Sequence, residues 1–136
     1  MTEKAVLGLM VGVFALLVIA FFSIKFIKRY RRKGYFKRHW QDLQKYCASK
    51  ETWPLAVITA DKLLDEALKR KKLKGKSTGE RLVSAQRIMS DNDTIWFAHN
   101  LAKKLKDEAA IRLKQSDVKK SLLGFLQALK DLGVME

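Results

Sequence analysis

The sequence predicts an all-α protein: one N-terminal transmembrane helix followed by a small antiparallel bundle of four to five helices. Residues 5–24 carry no charge. The rest of the chain has one proline, few glycines and no strictly alternating β-branched run, and its apolar residues recur at helical spacing. We divide the chain into an anchor at 1–24, with its span at about 5–24, a polybasic juxtamembrane segment at 25–38, and a cytoplasmic helical bundle at 39–136.

The anchor is long enough to cross a bilayer, because its twenty uncharged residues, at about 1.5 Å rise each, make a helix of about 30 Å. Thirteen of them are Val, Leu, Ile or Phe, and each favours insertion by about 0.3–0.6 kcal/mol near the helix centre. A cleaved signal peptide is the alternative, but it requires a shorter apolar run followed by small residues. Aromatic and basic residues follow here, so a retained single-pass anchor is favoured.

Positive charge is concentrated just after the span. The chain has 28 Lys and Arg against 14 Asp and Glu, a formal charge of +14. Eight of these cations, with no acid among them, are Lys25, Lys28, Arg29, Arg31, Arg32, Lys33, Lys37 and Arg38. They outweigh Lys4 before the span, so the positive-inside rule predicts the N-terminus outside and the C-terminal domain in the cytoplasm, at the plasma membrane. A role in membrane topology and anchoring would be enough to explain these cations. The more specific hypothesis is that they bind anionic lipid headgroups or nucleic-acid phosphates.

Aromatic residues alternate with these cations. The sequence places Tyr30, Tyr35, Phe36 and Trp40 among them. Aromatic rings at headgroup level beside cations near phosphate are typical of a membrane interface. We therefore expect these four rings to form an interfacial collar.

The first two helices of the cytoplasmic part are predicted from periodicity and one proline. The first continues from the span to about Ser49, with Trp40, Leu43 and either Tyr46 or Cys47 on one face. Thr52 and Pro54 mark the start of the second, at about 54–70, since proline is tolerated in a first helical turn. Its apolar stripe consists of Val57, Ala60, Leu64, Ala67 and Leu68, with Asp61 at the edge.

Three more helices follow. Ser77 and Glu80 have capping-box spacing and begin a helix at about 78–89 that buries Leu82, Ala85 and either Ile88 or Met89. The cluster 91–93, Asp-Asn-Asp, opens a fourth helix at about 94–114 with Ile95, Ala98, His99, Ala102, Leu105 and Ala109 on one face. Ser116 is expected to cap the fifth, which presents Val118, Leu122, Phe125, Leu129 and Leu132 and ends at Gly133.

The connector between the second and third helices is strongly basic. Its cations are Lys69, Arg70, Lys71, Lys72, Lys74 and Lys76. A solvated loop would have this composition, and so would a contact with RNA phosphates or a second contact with an anionic leaflet. Few aromatic residues accompany these cations, so base stacking is not indicated.

No self-sufficient catalytic motif is present, and we expect no metal and no cofactor. Neither of the two histidines, His39 and His99, has a metal-ligand neighbour at helical spacing. His99 lies on an apolar stripe and needs a polar partner, for which Asp61 is our hypothesis. The single cysteine, Cys47, excludes an intrachain disulfide, and its basic neighbours in sequence could lower its thiol pKa.

Three short segments carry a family resemblance: ADKLLDEAL (60–68), GKSTGERL (75–82) and WFAHNL (96–101). Over about residues 53–133 the chain resembles small bacterial helical domains of the HEPN superfamily. The resemblance implies a four- or five-helix bundle, often dimeric, whose active members are metal-independent ribonucleases. Those members use an Arg, commonly followed by Asn, and a His a few residues later on the same helix.

The catalytic positions of that family are not kept here. In the stretch that begins at His99, the Arg position falls on Ala102, the Asn position on Lys103 and the His position on Asp107. The resemblance therefore supports the fold and argues against nuclease activity. We expect a non-catalytic, membrane-tethered interaction module that binds a protein partner or forms a homodimer. An RNA-binding or residual RNA-processing domain is the alternative.

Overall fold

The computed structural model describes residues 2–108 and 111–135, with side chains for all of these except 29–33. The chain forms two compact units, Met1–Gly34 and Tyr35–Glu136. The α-helices are α1 (Glu3–Gln44), α2 (Trp53–Arg70), α3 (Thr78–Ser84), α4 (Asn92–Asp107) and α5 (Gln115–Asp131), and two 3₁₀ segments occupy Lys45–Ala48 and Lys50–Thr52. No strand occurs among the described residues, so the predicted all-helical class is confirmed. The predicted helix count is not confirmed, because six helical segments follow α1 in the described part of the chain, where four to five were expected.

Within the first unit, residues 5–24 form a helical stretch without a charged side chain. Large apolar side chains from Val6 to Ile27 are exposed all round it, and nothing lies within 4 Å of the Cβ positions of Gly8 and Gly12. A helical stretch whose apolar side chains are exposed on all sides suits a lipid environment. Its stretch Glu3–Lys28 is long and apolar enough to span a membrane.

The second unit begins earlier than the boundary predicted from charge. The last part of α1 buries Phe36, Trp40 and Leu43 in the hydrophobic core of this unit. Burial of Phe36 and Trp40 contradicts the predicted interfacial collar, because rings enclosed by protein cannot lie among headgroups. Tyr35 is half-buried, and its hydroxyl is hydrogen-bonded to Glu66. The side chain of Tyr30 lies outside the described residues.

Two 3₁₀ segments connect α1 to α2. The predicted continuation to Ser49 is wrong, since α1 ends at Gln44 and Tyr46 is exposed. The turn is held by side chains of the next element: Thr52 Oγ1 donates to the carbonyl of Ser49 at 3.0 Å, and Trp53 Nε1 donates to the carbonyl of Cys47 at 3.1 Å. Pro54 then lies in the first turn of α2, as predicted.

The central helix of the second unit is α2, which packs against α3, α4 and α5. All five residues of its predicted stripe are buried, together with Ala56, Leu63 and Asp61. Helix α3 starts as predicted, because Ser77 Oγ accepts the backbone N–H of Glu80. The carboxylate of Glu80 accepts the N–H of Lys76 rather than that of Ser77. Helix α3 is shorter than predicted and gives way to turns after Ser84, but Leu82, Ala85 and Met89 are buried and Ile88 is exposed.

Helices α4 and α5 complete the core. Asp91 caps α4 by accepting the N–H and the hydroxyl of Thr94. The prediction that α4 reaches residue 114 is wrong: it ends at Asp107, because α5 already begins at Gln115 and the chain needs a connection between them. The predicted inward position of Ala109 lies outside the described residues.

Both ends of α5 are defined by backbone geometry. The predicted cap Ser116 lies inside α5, and Lys114 is the N-cap residue without a side-chain hydrogen bond. At the other end Gly133 has φ 74°, and the N–H groups of Gly133 and Val134 donate to the carbonyls of Lys130 and Leu129. This is a Schellman motif, in which glycine adopts the left-handed conformation at low steric cost.

Candidate functional site

A buried polar group joins α2 to α4. Asp61, whose side chain is 3% exposed, lies with Oδ1 2.8 Å from His99 Nδ1 and with Oδ2 3.4 Å from Lys106 Nζ. The rings of Trp96 and His99 form a T-shaped contact, with their centroids 5.9 Å apart. The structure thus brings together the two residues of the sequence hypothesis and adds Lys106. Two charge-assisted contacts satisfy a carboxylate that would otherwise be costly to bury.

A second carboxylate, Asp65 one turn further along α2, is also held by two cations. Arg81 Nη1 lies 2.6 Å from Oδ1, and Lys69 Nζ lies 3.1 Å from Oδ2. Burial raises the pKa of Asp65, but hydrogen bonds from Lys69, Thr78 and Arg81 and the charge of Arg81 outweigh it, so the pKa is lowered. This group fixes α3 against α2.

All six cations of the basic connector are exposed, but only two of them have a protein partner that the structure describes. Lys69 is paired with Asp65, and the Arg70 guanidinium lies over the rings of Tyr35 and Phe36, at 4.4 and 5.0 Å from their centroids. The other four side chains, Lys71, Lys72, Lys74 and Lys76, are exposed. Lys69 and Arg70 are exposed as well, but their charges are engaged by Asp65 and by the two rings.

The polybasic segment is described only in part. Lys25, Lys28, Lys37 and Arg38 are exposed, and Lys25 Nζ lies 4.8 Å from the centroid of Phe21. The side chains of Arg29, Arg31, Arg32 and Lys33 lie outside the described residues. Within the same segment, the hydroxyl of Tyr35 donates to Glu66 at 2.7 Å. That hydrogen bond, followed by burial, raises the pKa of Tyr35.

An apolar groove lies between the end of α1 and α5. Its volume is about 300 Å³. It is lined by Trp40, Gln44, Cys47, Trp53, Gln115, Val118, Lys119, Leu122, Leu123 and Leu126. The only charged side chain in this lining is that of Lys119. Aromatic and aliphatic walls with a few polar groups at the rim are typical of a site that receives an apolar side chain of a partner.

Cys47 lies in the wall of this groove and is half-buried. Burial raises the pKa of its thiol. The expectation that neighbouring cations would lower this pKa is wrong, because removal of the thiolate from water is the dominant effect. The thiol therefore lines the groove in its protonated form.

A smaller cavity of about 220 Å³ adjoins the groove. Its lining consists of Met89, Asp91, Thr94, Leu123, Gly124, Gln127, Ala128 and Asp131. Hydrogen bonds from the hydroxyl and N–H of Thr94 lower the pKa of Asp91. Burial raises the pKa of Asp131, but bonds from Ser90 and Gln127 outweigh this and lower it. Two ionised carboxylates thus face this cavity.

No match was found when the chain was compared with protein-family models, curated proteins and solved structures. Within residues 2–108 and 111–135, no group of three or more His, Cys, Asp and Glu residues could hold a metal ion.

Sequence reasoning missed the surface on which the two cavities meet. Leu123 lines both of them and is 57% exposed. It falls outside the predicted inward stripe of α5, and nothing local marks an exposed leucine as functional. The sequence does show that Leu123 lies four residues from both Lys119 and Gln127, and residues at this spacing are neighbours on a helix surface.

Proposed function

We propose that this protein is a single-pass membrane-tethered helical domain that acts in the cytoplasm as a non-catalytic interaction module. The observation that carries the proposal is the groove of about 300 Å³, whose apolar lining includes Trp40, Trp53 and Leu126. Such a lining stays hydrated on a free domain, and its burial against a partner would be favourable by about 25 cal/mol per Å². The helical stretch Glu3–Lys28, which is long and apolar enough to span a membrane, supports the proposal of a membrane tether.

The charge distribution supports the proposed topology. Eight cations in residues 25–38 follow the span, whereas Lys4 is the cation before it. The positive-inside rule then places Tyr35–Glu136 in the cytoplasm, and we propose the plasma membrane as the location. A short turn between α1 and α2 is compatible with antiparallel neighbours in the bundle.

We further propose a relationship to the HEPN superfamily without its nuclease chemistry. Ala102, in the position of the family's Arg, is fully buried, whereas Lys103 and Asp107 are exposed. A methyl group in the core and a carboxylate in solvent cannot supply a guanidinium and an imidazole to one phosphate. A binding role is therefore favoured over catalysis.

Site-specific photo-crosslinking of the full chain in membranes tests the module. A photoreactive amino acid replaces Leu126 in the groove, and the matched control replaces Lys104 on the exposed side of α4. We expect a discrete protein adduct from position 126 and not from position 104. Equal labelling from both positions, or no adduct from either, would refute the module.

RNA binding is a second candidate, favoured by the four exposed lysines of the connector. Within the described part of the chain, no ion pair or side-chain hydrogen bond engages Lys71, Lys72, Lys74 or Lys76. Each contact with a single-stranded phosphate should contribute about −0.7 to the slope of log K against log salt concentration.

The RNA test uses the full chain in nanodiscs with neutral lipid and a labelled single-stranded RNA. Changing the four lysines to glutamine should weaken binding and flatten the salt slope. The matched variant changes Lys103, Lys104, Lys114 and Lys130, which are also exposed, and removes the same charge elsewhere. Equal losses in both variants would indicate only non-specific attraction by net charge.

A further inference from the structure

One row of side chains on α5 connects the two cavities. Gln115, Lys119, Leu123, Gln127 and Asp131 recur every four residues and therefore follow one ridge of the helix. Gln115 and Lys119 line the groove. Gln127 and Asp131 line the smaller cavity of about 220 Å³, and Leu123 lines both. The ridge is thus positive on one side of an exposed leucine and negative on the other.

This arrangement is self-complementary. A two-fold interface brings residue i of one copy against residue j of the other and repeats the contact in reverse. Lys119 and Gln127 each lie four residues from Leu123, so two α5 helices that cross at Leu123 in antiparallel orientation place each Lys119 beside Gln127 of the other copy. Asp131, one turn further on, is within reach of the same lysine.

We propose that a second copy of this chain covers the α5 surface, with the two helices crossing at Leu123 and the two grooves closed by each other. This inference rests on the proposed function and names its partner. Ridges at four-residue spacing pack against their own kind at about −50°, which is the commonest crossing in globular proteins. The crossing buries the 57% exposed Leu123.

The charges at the two ends of the ridge distinguish a second copy from other occupants. An acidic partner helix would match Lys119 but meet the carboxylates of Asp91 and Asp131, which line the adjoining cavity. A basic partner helix would match those carboxylates but meet Lys119. A copy turned through 180° matches both ends at once.

Net charge gives this dimer a characteristic salt dependence. Residues 35–136 hold 21 Lys and Arg against 13 Asp and Glu, which gives 21 − 13 = +8. Two such domains repel at long range, and salt screens this repulsion over a Debye length of about 8 Å at 0.15 M. Self-association should therefore strengthen with salt, whereas RNA binding weakens.

Cysteine crosslinking of the full chain in membranes tests the crossing point. Leu123→Cys is combined with Cys47→Ala so that the introduced thiol is the only one. Leu55→Cys in the same background is the control, because Leu55 on α2 is 49% exposed and lines neither cavity. Mild oxidation should give disulfide-linked dimer at position 123 at least about tenfold faster than at 55. Equal rates would overturn the proposal.

Charge variants test the register without disturbing the core. Lys119→Glu should weaken association at least about tenfold, because like charges then face Asp131 of the other copy. Adding Gln127→Lys should restore it. Lys130→Glu changes the net charge equally on an exposed part of α5 outside both cavities, and should not weaken association.

The outcomes separate this inference from the module itself. Unchanged association in Lys119→Glu, or failure of Gln127→Lys to restore it, would overturn the dimer. A photo-adduct from position 126 with a different protein, without disulfide at position 123, would keep the interaction module and refute the second copy. Absence of any photo-adduct from position 126 would refute both the interaction module and the dimer.

Discussion

His99 Nδ1 lies 2.8 Å from Oδ1 of Asp61, and this contact links α4 to the central helix α2 through a carboxylate that is 3% exposed. Lys106 reaches the other oxygen at 3.4 Å from the same side of α4. The pair is therefore a structural connection within the core.

Asp61→Ala should lower the free energy of unfolding by about 3 kcal/mol, because it leaves His99 and Lys106 without their buried partner. Thermal unfolding of the full chain in detergent, followed by circular dichroism, measures this. His99→Gln alone should cost less, and the double variant should cost less than the sum of the two. Strict additivity would show that the two side chains do not interact energetically.

Gly124 on α5 packs tightly against Thr94 on α4. A Cβ added there would lie 2.8 Å from Thr94 Cγ2 and 3.2 Å from its carbonyl oxygen. Gly124→Ala should therefore destabilise the domain by about 1–3 kcal/mol through overpacking, despite the higher helix propensity of alanine. Thr94→Ser in that background removes Cγ2 and should recover part of the loss.

The control for Gly124 is another helical glycine. Nothing lies within 4 Å of a Cβ built on Gly34. Gly34→Ala should leave stability unchanged or raise it slightly. If both substitutions lowered the thermal midpoint equally, crowding against Thr94 would not be the cause.

The sequence predicted those parts of the fold that depend on local patterns. The stripe of α2 is buried as expected because one helix period determines which residues share a face, and α2 is surrounded by α3, α4 and α5. The start of α3 followed from Ser77 and Glu80, whose hydrogen bonds involve neighbours in the chain.

Features set by distant contacts could not be predicted in the same way. Phe36 and Trp40 read as membrane-interface rings because their sequence neighbours are cations, yet tertiary packing buries them. The ends of α1 and α4 carry no proline or glycine, and the packing of later helices determines them. The groove combines residues from α1, the first 3₁₀ segment, the start of α2 and α5, so no sequence window contains it.

Cys47 should react slowly with iodoacetamide near neutral pH, because burial raises its pKa and the thiolate is the reactive form. Ser49→Cys in a Cys47→Ala background provides an exposed control two residues away. The control should react at least about tenfold faster, and unfolding in urea should remove the difference. Equal rates in the folded protein would contradict the raised pKa.

Asp65 should make the domain sensitive to acid. Its folded-state pKa is lowered from 3.8, whereas the unfolded chain keeps the ordinary value. The ion pairs with Arg81 and Lys69 therefore stabilise the fold fully above the unfolded pKa, and this contribution is lost as pH falls through the folded pKa. Thermal midpoints measured from about pH 6 down to about pH 3 should fall steeply in the wild type.

Asp65→Asn separates this group from the other carboxylates. The variant should be less stable than the wild type near neutral pH, and the gap should narrow below about pH 4, because the amide cannot titrate. Asp107→Asn, at the exposed end of α4, should keep the wild-type profile. A constant gap between Asp65→Asn and the wild type would mean that the carboxylate acts through packing or hydrogen bonding and not through its charge. A gap that closes in acid would assign the attachment of α3 to the ion pair between Asp65 and Arg81.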